Sequence, residues 1–132
     1  HSELYDLAMI DAYDHAGMAP EVSSELFFDN CRTLMTKTGL LVINLWGTDK
    51  DLFKQVSWNL GRVFGWRILF LPVRTRGNII GFAFAEGFPK LGMKDLIEKA
   101  QQLEQQYQLE FPTFLQDLKR SNTRAINRII NQ

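Results

Sequence analysis

Apolar positions follow two alternating periods along the first two thirds of the chain. Nearly continuous apolar runs, typical of strands that are covered on both faces, occupy residues 4–10, 40–46, 66–73 and 78–85. Apolar residues at helical spacing lie between the first three runs, over residues 24–38 and 48–64. The pattern therefore predicts the order strand, helix, strand, helix, strand, strand, which is typical of an α/β layer sheet.

Capping and stop residues predict where these helices begin and end. Ser23 or Ser24 is expected to cap the first helix, whose apolar spacing includes Met35 and which we expect to end at Gly39. Thr48, with an acid three residues later, resembles a capping box at the start of the second helix. The chain thus provides a recognisable boundary for both helices.

The link between the last two apolar runs covers only residues 73–77, which is too short for a helical crossover. Those two strands are therefore predicted to be antiparallel neighbours in a sheet that is otherwise parallel. Residues 93–107 are expected to form an amphipathic helix. A last helical region is predicted after Pro112, with Ile126, Ile129 and Ile130 among its apolar positions.

Composition limits the class of protein without changing this picture. The chain has 132 residues, of which 45% are hydrophobic and 23% charged, an ordinary globular composition that leaves room for one domain. No apolar run approaches the roughly 20 residues that a membrane helix needs. The single cysteine, Cys31, excludes an intramolecular disulfide and is expected to be a small buried hydrophobe. We expect a cytoplasmic protein with no membrane partner.

Charge is balanced overall but unevenly distributed. Residues 1–31 carry seven carboxylates and no lysine or arginine, so this part either attracts a cationic ligand or forms a solvated acidic surface. The last helical region is basic, through Lys119, Arg120, Arg124 and Arg128. A phosphate-binding surface is one interpretation, but without interleaved aromatic residues we do not expect nucleic acid as a partner. Arg74 and Arg76 flank the predicted hairpin tip and are expected to solvate an edge.

Asp11 and Asp14 form the sharpest local feature, three residues apart at the carboxyl end of the first predicted strand. Ligands of α/β sheets bind beyond those ends, where two carboxylates can face one cation and where one of them suits a general base for an amine. Solvated loop acids are the alternative. His15 is adjacent, but no second ligand has convincing spacing, so no metal is expected. Asn44 and Trp46 end the next strand and either line the same crevice or pack there.

Four segments resemble the spermidine synthase family of polyamine aminopropyltransferases. They are YDLAMIDAYD (residues 5–14), SELFFDNC (24–31), KTGLLVINLW (37–46) and GNIIGFAF (77–84). The resemblance covers about residues 4–86 and implies the C-terminal half of a Rossmann-like class I methyltransferase fold, a mostly parallel sheet closed by an antiparallel hairpin. Residues 1–88 would be a partial catalytic domain without its N-terminal nucleotide-binding half, and residues 89–132 a helical segment packed on it.

The resemblance implies transfer of an aminopropyl group from decarboxylated S-adenosylmethionine to putrescine or a related amine. By position, Asp11 matches the family's proton acceptor and Asp14 matches the second acid, which helps to hold the diamine. Tyr13 lies between them and either walls the pocket or packs. Decarboxylated S-adenosylmethionine, or S-adenosylmethionine itself, would be a co-substrate. No tightly bound cofactor is expected. The protein is expected to form a homo-oligomer.

The loop after Asp14 departs from the family pattern, in which proline follows the second acid directly and Gly-Pro comes next. Here the loop reads DHAGMAP over residues 14–20, so Gly17 keeps its place and Pro20 is displaced by two positions. These two residues are the implied contacts to the nucleoside. The glycine-rich nucleotide loop would lie upstream of residue 1, and we therefore expect this chain alone to be inactive.

Three other interpretations remain open from the sequence. The chain could belong to a methyltransferase of the same fold that uses intact S-adenosylmethionine on another substrate. It could be a non-catalytic interaction domain that pairs through its first strand or its basic last helix. It could also be a small four-stranded domain complete in itself, although its first strand would then be an unprotected apolar edge.

Overall fold

The computed structural model describes residues 3–14 and 17–132. The strands are β1 (Tyr5–Ile10), β2 (Tyr13–Asp14), β3 (Gly17–Met18), β4 (Met35–Trp46), β5 (Ile68–Pro72), β6 (Asn78–Phe84), β7 (Leu91–Gly92) and β8 (Ile130–Asn131). The α-helices are α1 (Glu25–Thr33), α2 (Lys50–Phe64), α3 (Met93–Tyr107) and α4 (Phe111–Ser121), and short 3-10 turns cover Pro20–Ser23 and Ala125–Arg128. No helix in this described part is both long and apolar enough to cross a bilayer.

The central sheet has the strand order β1-β4-β6-β5. β1 pairs in parallel with β4, whereas β6 is antiparallel to both of its neighbours, β4 and β5. Among these four strands, β1, β4 and β5 therefore run in one direction and β6 in the other. This arrangement confirms the predicted α/β sheet with a closing antiparallel hairpin.

Local capping explains where α1 and α2 begin. Ser24 is the N-cap of α1, because its hydroxyl accepts a hydrogen bond from the Phe27 N–H at 3.1 Å. The prediction of Thr48 as the cap of α2 is wrong. Asp49 takes that place, since its backbone is extended and its carboxylate accepts from the Leu52 N–H at 3.0 Å.

The end of the first helix also differs from the sequence prediction. α1 ends at Thr33, and Met35, only 3% exposed, begins β4 instead of continuing the helix. Met35 is already paired with Tyr5 of β1, so the chain must be extended there. Gly39 does not end a helix; a Cβ at this position would lie 2.9 Å from the Met35 Cε atom. Gly39 thus leaves space for the buried methionine side chain.

Helices cover both faces of the sheet, and successive side chains along each strand point to opposite faces. α1 and α2 cover one face, whose buried residues are Phe28, Met35, Leu41, Ile43, Leu45, Val56, Leu60, Phe64, Ile68 and Ala83. The C-terminal segment covers part of the other face, with Leu69, Phe84, Met93, Ile126, Ile129 and Ile130 buried. The second face is left uncovered around Met9, which is 75% exposed.

The chain leaves helical structure earlier than predicted at its C-terminus. α4 ends at Ser121, a 3-10 turn follows, and Ile130–Asn131 pairs in parallel with β7. The reason is Asn122, whose side chain bonds to both backbone groups of Phe70 on the edge strand β5, each at 2.8 Å. The predicted apolar residues after α4 are buried, but they do not lie on a continuation of that helix.

Candidate functional site

Three strand ends meet at one edge of the central sheet. The carboxyl ends of β1 and β4 lie there because the two strands are parallel, with Ile10 opposite Ile43. The amino end of β6 lies there too, because β6 is antiparallel to β4 and Asn78 is opposite Trp46. This is the edge at which α/β sheets bind their ligands.

Two asparagine side chains hold Asp11 at this edge. Asn78 donates through Nδ2 to Asn44 Oδ1 at 3.0 Å, and Asn44 donates through Nδ2 to Asp11 Oδ1 at 3.2 Å. The first bond fixes which end of the Asn44 amide faces Asp11. Among the described residues, Asp11 Oδ2 has no hydrogen-bond partner, and the residue is exposed. One carboxylate oxygen is thus positioned by the protein and the other is open to a ligand.

Tyr13 is attached to the end of β4 by a hydrogen bond and by ring stacking. The Trp46 backbone N–H donates to Tyr13 Oη at 2.9 Å, and the two rings stack with centroids 4.4 Å apart and an interplanar angle of 13°. Burial raises the pKa of the Tyr13 phenol, and this effect outweighs the lowering by the hydrogen bond from Trp46. The phenol therefore keeps its proton at neutral pH and can donate it in a hydrogen bond.

An open cleft of about 350 Å³ lies in front of the uncovered face of the sheet at this edge. Its lining includes Met9, Asp11, Val42, Asn44, Asn78 and Ile80. The cleft is polar where Asp11 and the two asparagines lie and apolar along the strands below them. A carboxylate beside an apolar floor can bind an aliphatic chain that ends in an ammonium group, and it can accept a proton from that group.

The structure places the predicted site residues unequally. It brings Asp11 and Asn44 together at the cleft, and Tyr13 lies against Trp46. The backbone of Asp14 pairs with Gly17 across the β2–β3 hairpin, whereas the Asp14 side chain and His15 lie outside the described residues. The predicted role of the Asp14 side chain in holding the diamine therefore stays a prediction.

Of the two predicted nucleoside contacts, Gly17 lies in the β2–β3 hairpin and Pro20 lies just after it. Gly17 has a φ of +106°, a conformation that only glycine adopts readily, and Pro20, which is exposed, begins a 3-10 turn. Neither of these described residues lines the cleft. Their roles remain predictions.

Sequence reasoning missed Asn78. The residue begins a strand far along the chain, and a polar residue at that position reads as an ordinary strand end. The predicted hairpin held a signal for Asn78. If residues 78–85 run antiparallel to residues 66–73, their first residue lies at the same end of the sheet as the carboxyl ends of the other strands. The sequence pattern does not indicate, however, that β4 is the second neighbour of β6.

Arg74 and Cys31 have contacts that bear on their predicted roles. Arg74 does more than solvate an edge: it donates through Nε and Nη2 to the two carboxylate oxygens of Asp117 on α4, both at 2.8 Å. Cys31 on α1, predicted to be buried, is half-buried and packs against the core, and this partial burial raises the pKa of its thiol. Neither residue lines the cleft.

Comparison with curated proteins finds relatives named polyamine aminopropyltransferase, although no protein-family model matches the chain. The relative from Chromobacterium violaceum is 28% identical over 125 residues, which is 95% of this chain and 48% of the relative. Those from Neisseria meningitidis serogroups A and B are each 31% identical over 117 residues, 89% of this chain and 44% of each relative. The chain thus spans about half the length of the curated relatives that it matches. These relatives confirm the resemblance to the spermidine synthase family.

Among solved structures, the chain is similar to human Methyltransferase-like protein 13 in complex with SAH. The TM-score is 0.68 at 24% sequence identity, and the match covers 81% of this chain and 50% of that one. At this identity the similarity concerns the fold alone. It confirms the predicted class I methyltransferase fold.

Proposed function

We propose that this chain is part of a polyamine aminopropyltransferase and that it supplies the acidic end of the amine site. The proposed reaction transfers an aminopropyl group from decarboxylated S-adenosylmethionine to putrescine or a related amine. One observation carries the proposal: Asn44 holds the Asp11 carboxylate at the mouth of an open cleft, at the carboxyl end of β1. The name of the curated relatives, polyamine aminopropyltransferase, supports aminopropyl transfer as the reaction class.

In the proposed step, Asp11 acts as the proton acceptor. The ammonium group of the amine gives a proton to Asp11 Oδ2 and so frees its lone pair. The nitrogen then attacks the carbon of the aminopropyl group that is bonded to the sulfonium sulfur. A C–N bond forms while the C–S bond breaks, the electron pair stays on sulfur, and methylthioadenosine leaves. The positive charge passes from the sulfonium to the secondary ammonium of the product.

The neighbouring residues position this chemistry. Asn44 occupies Asp11 Oδ1, which directs Oδ2 towards the amine. The apolar floor beside Val42 and Ile80 fits the methylene chain of a diamine. We assign Asp14 to the far ammonium group and Tyr13 to the wall of the pocket, and Gly17 with Pro20 to the nucleoside. These four roles come from the family pattern.

The proposal includes the division of the chain and its assembly. Residues 1–88 would be the partial catalytic domain and residues 89–132 the helical segment that packs on it. Because the chain spans about half the length of its relatives, catalysis would need the other half, and the chain alone would bind methylthioadenosine weakly or not at all. A homo-oligomer is part of the proposal, since β1 is an edge strand of the central sheet and carries the exposed apolar residues Leu7 and Met9.

The test uses a chimera in which this chain replaces the matching half of the Chromobacterium violaceum relative. The chimera is incubated with putrescine and decarboxylated S-adenosylmethionine, and spermidine is followed by mass spectrometry. We expect Asp11→Asn to lower the rate by about 100-fold or more, the usual loss when a general base is removed. Asp29→Asn, which removes an exposed acid on α1, should leave the rate within about twofold.

Three results would decide against the proposal. Full activity in Asp11→Asn would remove Asp11 from the proton-transfer step. A chimera that methylates an acceptor from intact S-adenosylmethionine and forms no spermidine would favour a methyltransferase. A folded chimera that binds neither methylthioadenosine nor putrescine would favour a non-catalytic interaction domain.

A further inference from the structure

A second cavity, of about 330 Å³, lies beside β5, at the opposite edge of the sheet from β1. Its walls come from the middle of α2, from Trp66 just after that helix, from β5, and from the end of α4 with the segment that follows it. The lining includes Ser57, Trp66, Phe70, Thr123, Arg124 and Arg128. None of the described residues that line it is acidic. The proposed aminopropyl transfer makes no use of this cavity.

Two guanidinium groups at this cavity lack acidic partners. In the described ranges, ion pairs join Arg62 to Glu25, and both Arg74 and Arg120 to Asp117. Arg124 and Arg128 form no ion pair with described residues. Both line the cavity, so their charges remain available to an anion. Guanidinium groups bind phosphate oxygens with paired N–H donors, which makes a phosphate the best-matched anion.

Further donors are directed to the same place. Arg128 donates through Nη1 to the Trp66 carbonyl oxygen at 3.1 Å, and this bond fixes its guanidinium at the cavity. Ser121, the last residue of α4, and Thr123, two residues further on, also line the cavity. Neither hydroxyl makes a hydrogen bond to another described residue, so both can donate to the oxygens of a bound anion.

Trp66 supplies a flat aromatic wall whose position is strongly constrained. Its φ of +63° is rare for a bulky residue, and such strained residues cluster at ligand sites. Its ring lies against Gly61, where a Cβ would overlap it, and it packs edge to face with Trp58 at a centroid distance of 5.1 Å. The Trp66 residue is nevertheless 40% exposed. A ligand ring could therefore pack against a side chain that is already in place.

We propose that this cavity binds a phosphate monoester carried on a flat ring, the chemistry of a nucleoside monophosphate. The phosphate would lie between Arg124 and Arg128 and accept from the hydroxyl of Thr123, and the ring would pack against Trp66. The inference is independent of the proposed aminopropyl transfer, because the second cavity shares no lining residue with the cleft beside Asp11.

The experiment titrates the full chain with AMP, inorganic phosphate and adenosine while the indole N–H signals are followed by NMR. The three signals, from Trp46, Trp58 and Trp66, are assigned with single Trp→Phe variants. AMP should shift the Trp66 signal and leave that of Trp46, next to the amine site, unchanged. AMP should also bind at least tenfold more tightly than either inorganic phosphate or adenosine, because each of these probes lacks one half of the contacts.

A matched pair of charge variants completes the test. Arg124→Gln removes a guanidinium that has no partner among the described residues, so the fold should persist, and AMP binding should weaken at least tenfold. Arg76→Gln removes the same charge from the exposed turn before β6 and should change AMP binding less than twofold. Equal AMP binding by Arg124→Gln and the unchanged chain would overturn the proposal. Adenosine binding as tightly as AMP, or an AMP shift at Trp46 instead of Trp66, would overturn it as well.

Discussion

Trp46 holds Tyr13 in two ways at once, since its backbone N–H donates to the phenol oxygen and its ring stacks on the phenol ring. Asp11 lies between Ile10, the last residue of β1, and Tyr13. Both neighbours are anchored to β4, Ile10 by strand pairing and Tyr13 by Trp46. The Asp11 backbone is therefore held on both sides, which explains how a residue outside regular secondary structure can have a fixed place.

The first prediction concerns the stability that Tyr13 adds. Tyr13→Phe leaves the Trp46 N–H without its acceptor and should lower the free energy of unfolding by about 1 kcal/mol. Tyr13→Leu also removes the stacked pair and should cost about 0.5–1.5 kcal/mol more. Urea denaturation measures both. Tyr107→Phe, at an exposed position on α3, is the control and should have no effect; equal stability of Tyr13→Phe and the unchanged chain would contradict the role of the hydrogen bond.

The second prediction concerns the two asparagines behind Asp11. In the active chimera, Asn44→Ala removes the donor to Asp11 Oδ1 and should lower kcat about tenfold, the equivalent of roughly 1.5 kcal/mol for one hydrogen bond to a charged group. Asn78→Ala frees the Asn44 amide to rotate and should have a smaller effect in the same direction. Exposed Asn30 on α1 is the control, as Asn30→Ala. If Asn44→Ala raises KM and leaves kcat unchanged, Asn44 contacts the substrate and does not position Asp11.

The third prediction is a pH dependence. The two hydrogen bonds from Arg74 lower the pKa of Asp117 below its usual value. A carboxyl whose pKa is lower in the folded than in the unfolded chain adds stability above its unfolded pKa of about 4, and this stability is lost as the pH falls through the folded pKa. The stability difference between the unchanged chain and Asp117→Asn should therefore be larger at about pH 6 than at about pH 2.

Denaturation midpoints at those two pH values test this expectation. Asp29→Asn serves as the control, because this exposed acid forms no ion pair with another described residue and its substitution should change the denaturation midpoint little. A pH-independent difference for Asp117→Asn would show that the contact with Arg74 does not survive in solution.

The fourth prediction concerns Asn122, which is 6% exposed and seals the edge of β5. Its side chain satisfies the N–H and C=O groups of Phe70 and also donates to the Leu118 carbonyl at 2.6 Å. Asn122→Ala should lower the free energy of unfolding by about 2–4 kcal/mol, because two backbone groups lose their partners. It should also expose a strand edge and promote aggregation. Asn127→Ala, at an exposed position, should cost much less.

The sheet could be predicted because its signals are local. Continuous apolar runs mark β4, β5 and β6, and a five-residue link forces the last two to be antiparallel. The boundary at Met35 could not be predicted in this way. Its apolar spacing continues that of α1, and only the pairing with Tyr5, thirty residues away, makes it a strand residue. Tertiary pairing there overrides the local periodicity.

In the candidate site, too, local signals could be predicted from the sequence and long-range contacts could not. Asp11 could be found because an acid directly after a buried strand has a known place in α/β sheets. The contacts that position it join residues 33 and 34 apart in sequence, Asp11 to Asn44 and Asn44 to Asn78. Such contacts depend on the order of strands in the sheet, and no local pattern encodes that order.

The last prediction sets helix propensity against packing at Gly61. Glycine within the last turn of α2 should be unfavourable, and replacing a helical glycine by alanine normally stabilises a helix by up to about 1 kcal/mol. At Gly61 the added Cβ would overlap the ring of Trp66, and overpacking of this kind costs about 1–3 kcal/mol. Packing should win, so we expect Gly61→Ala to lower the free energy of unfolding. In a Trp66→Ala background the overlap is gone, and the same substitution should stabilise the chain by up to about 1 kcal/mol. Urea denaturation of the unchanged chain, the two single variants and the double variant measures this change of sign. Stabilisation by Gly61→Ala in the unchanged chain would mean that the Trp66 ring does not lie over α2. That result would also remove the aromatic wall of the second cavity.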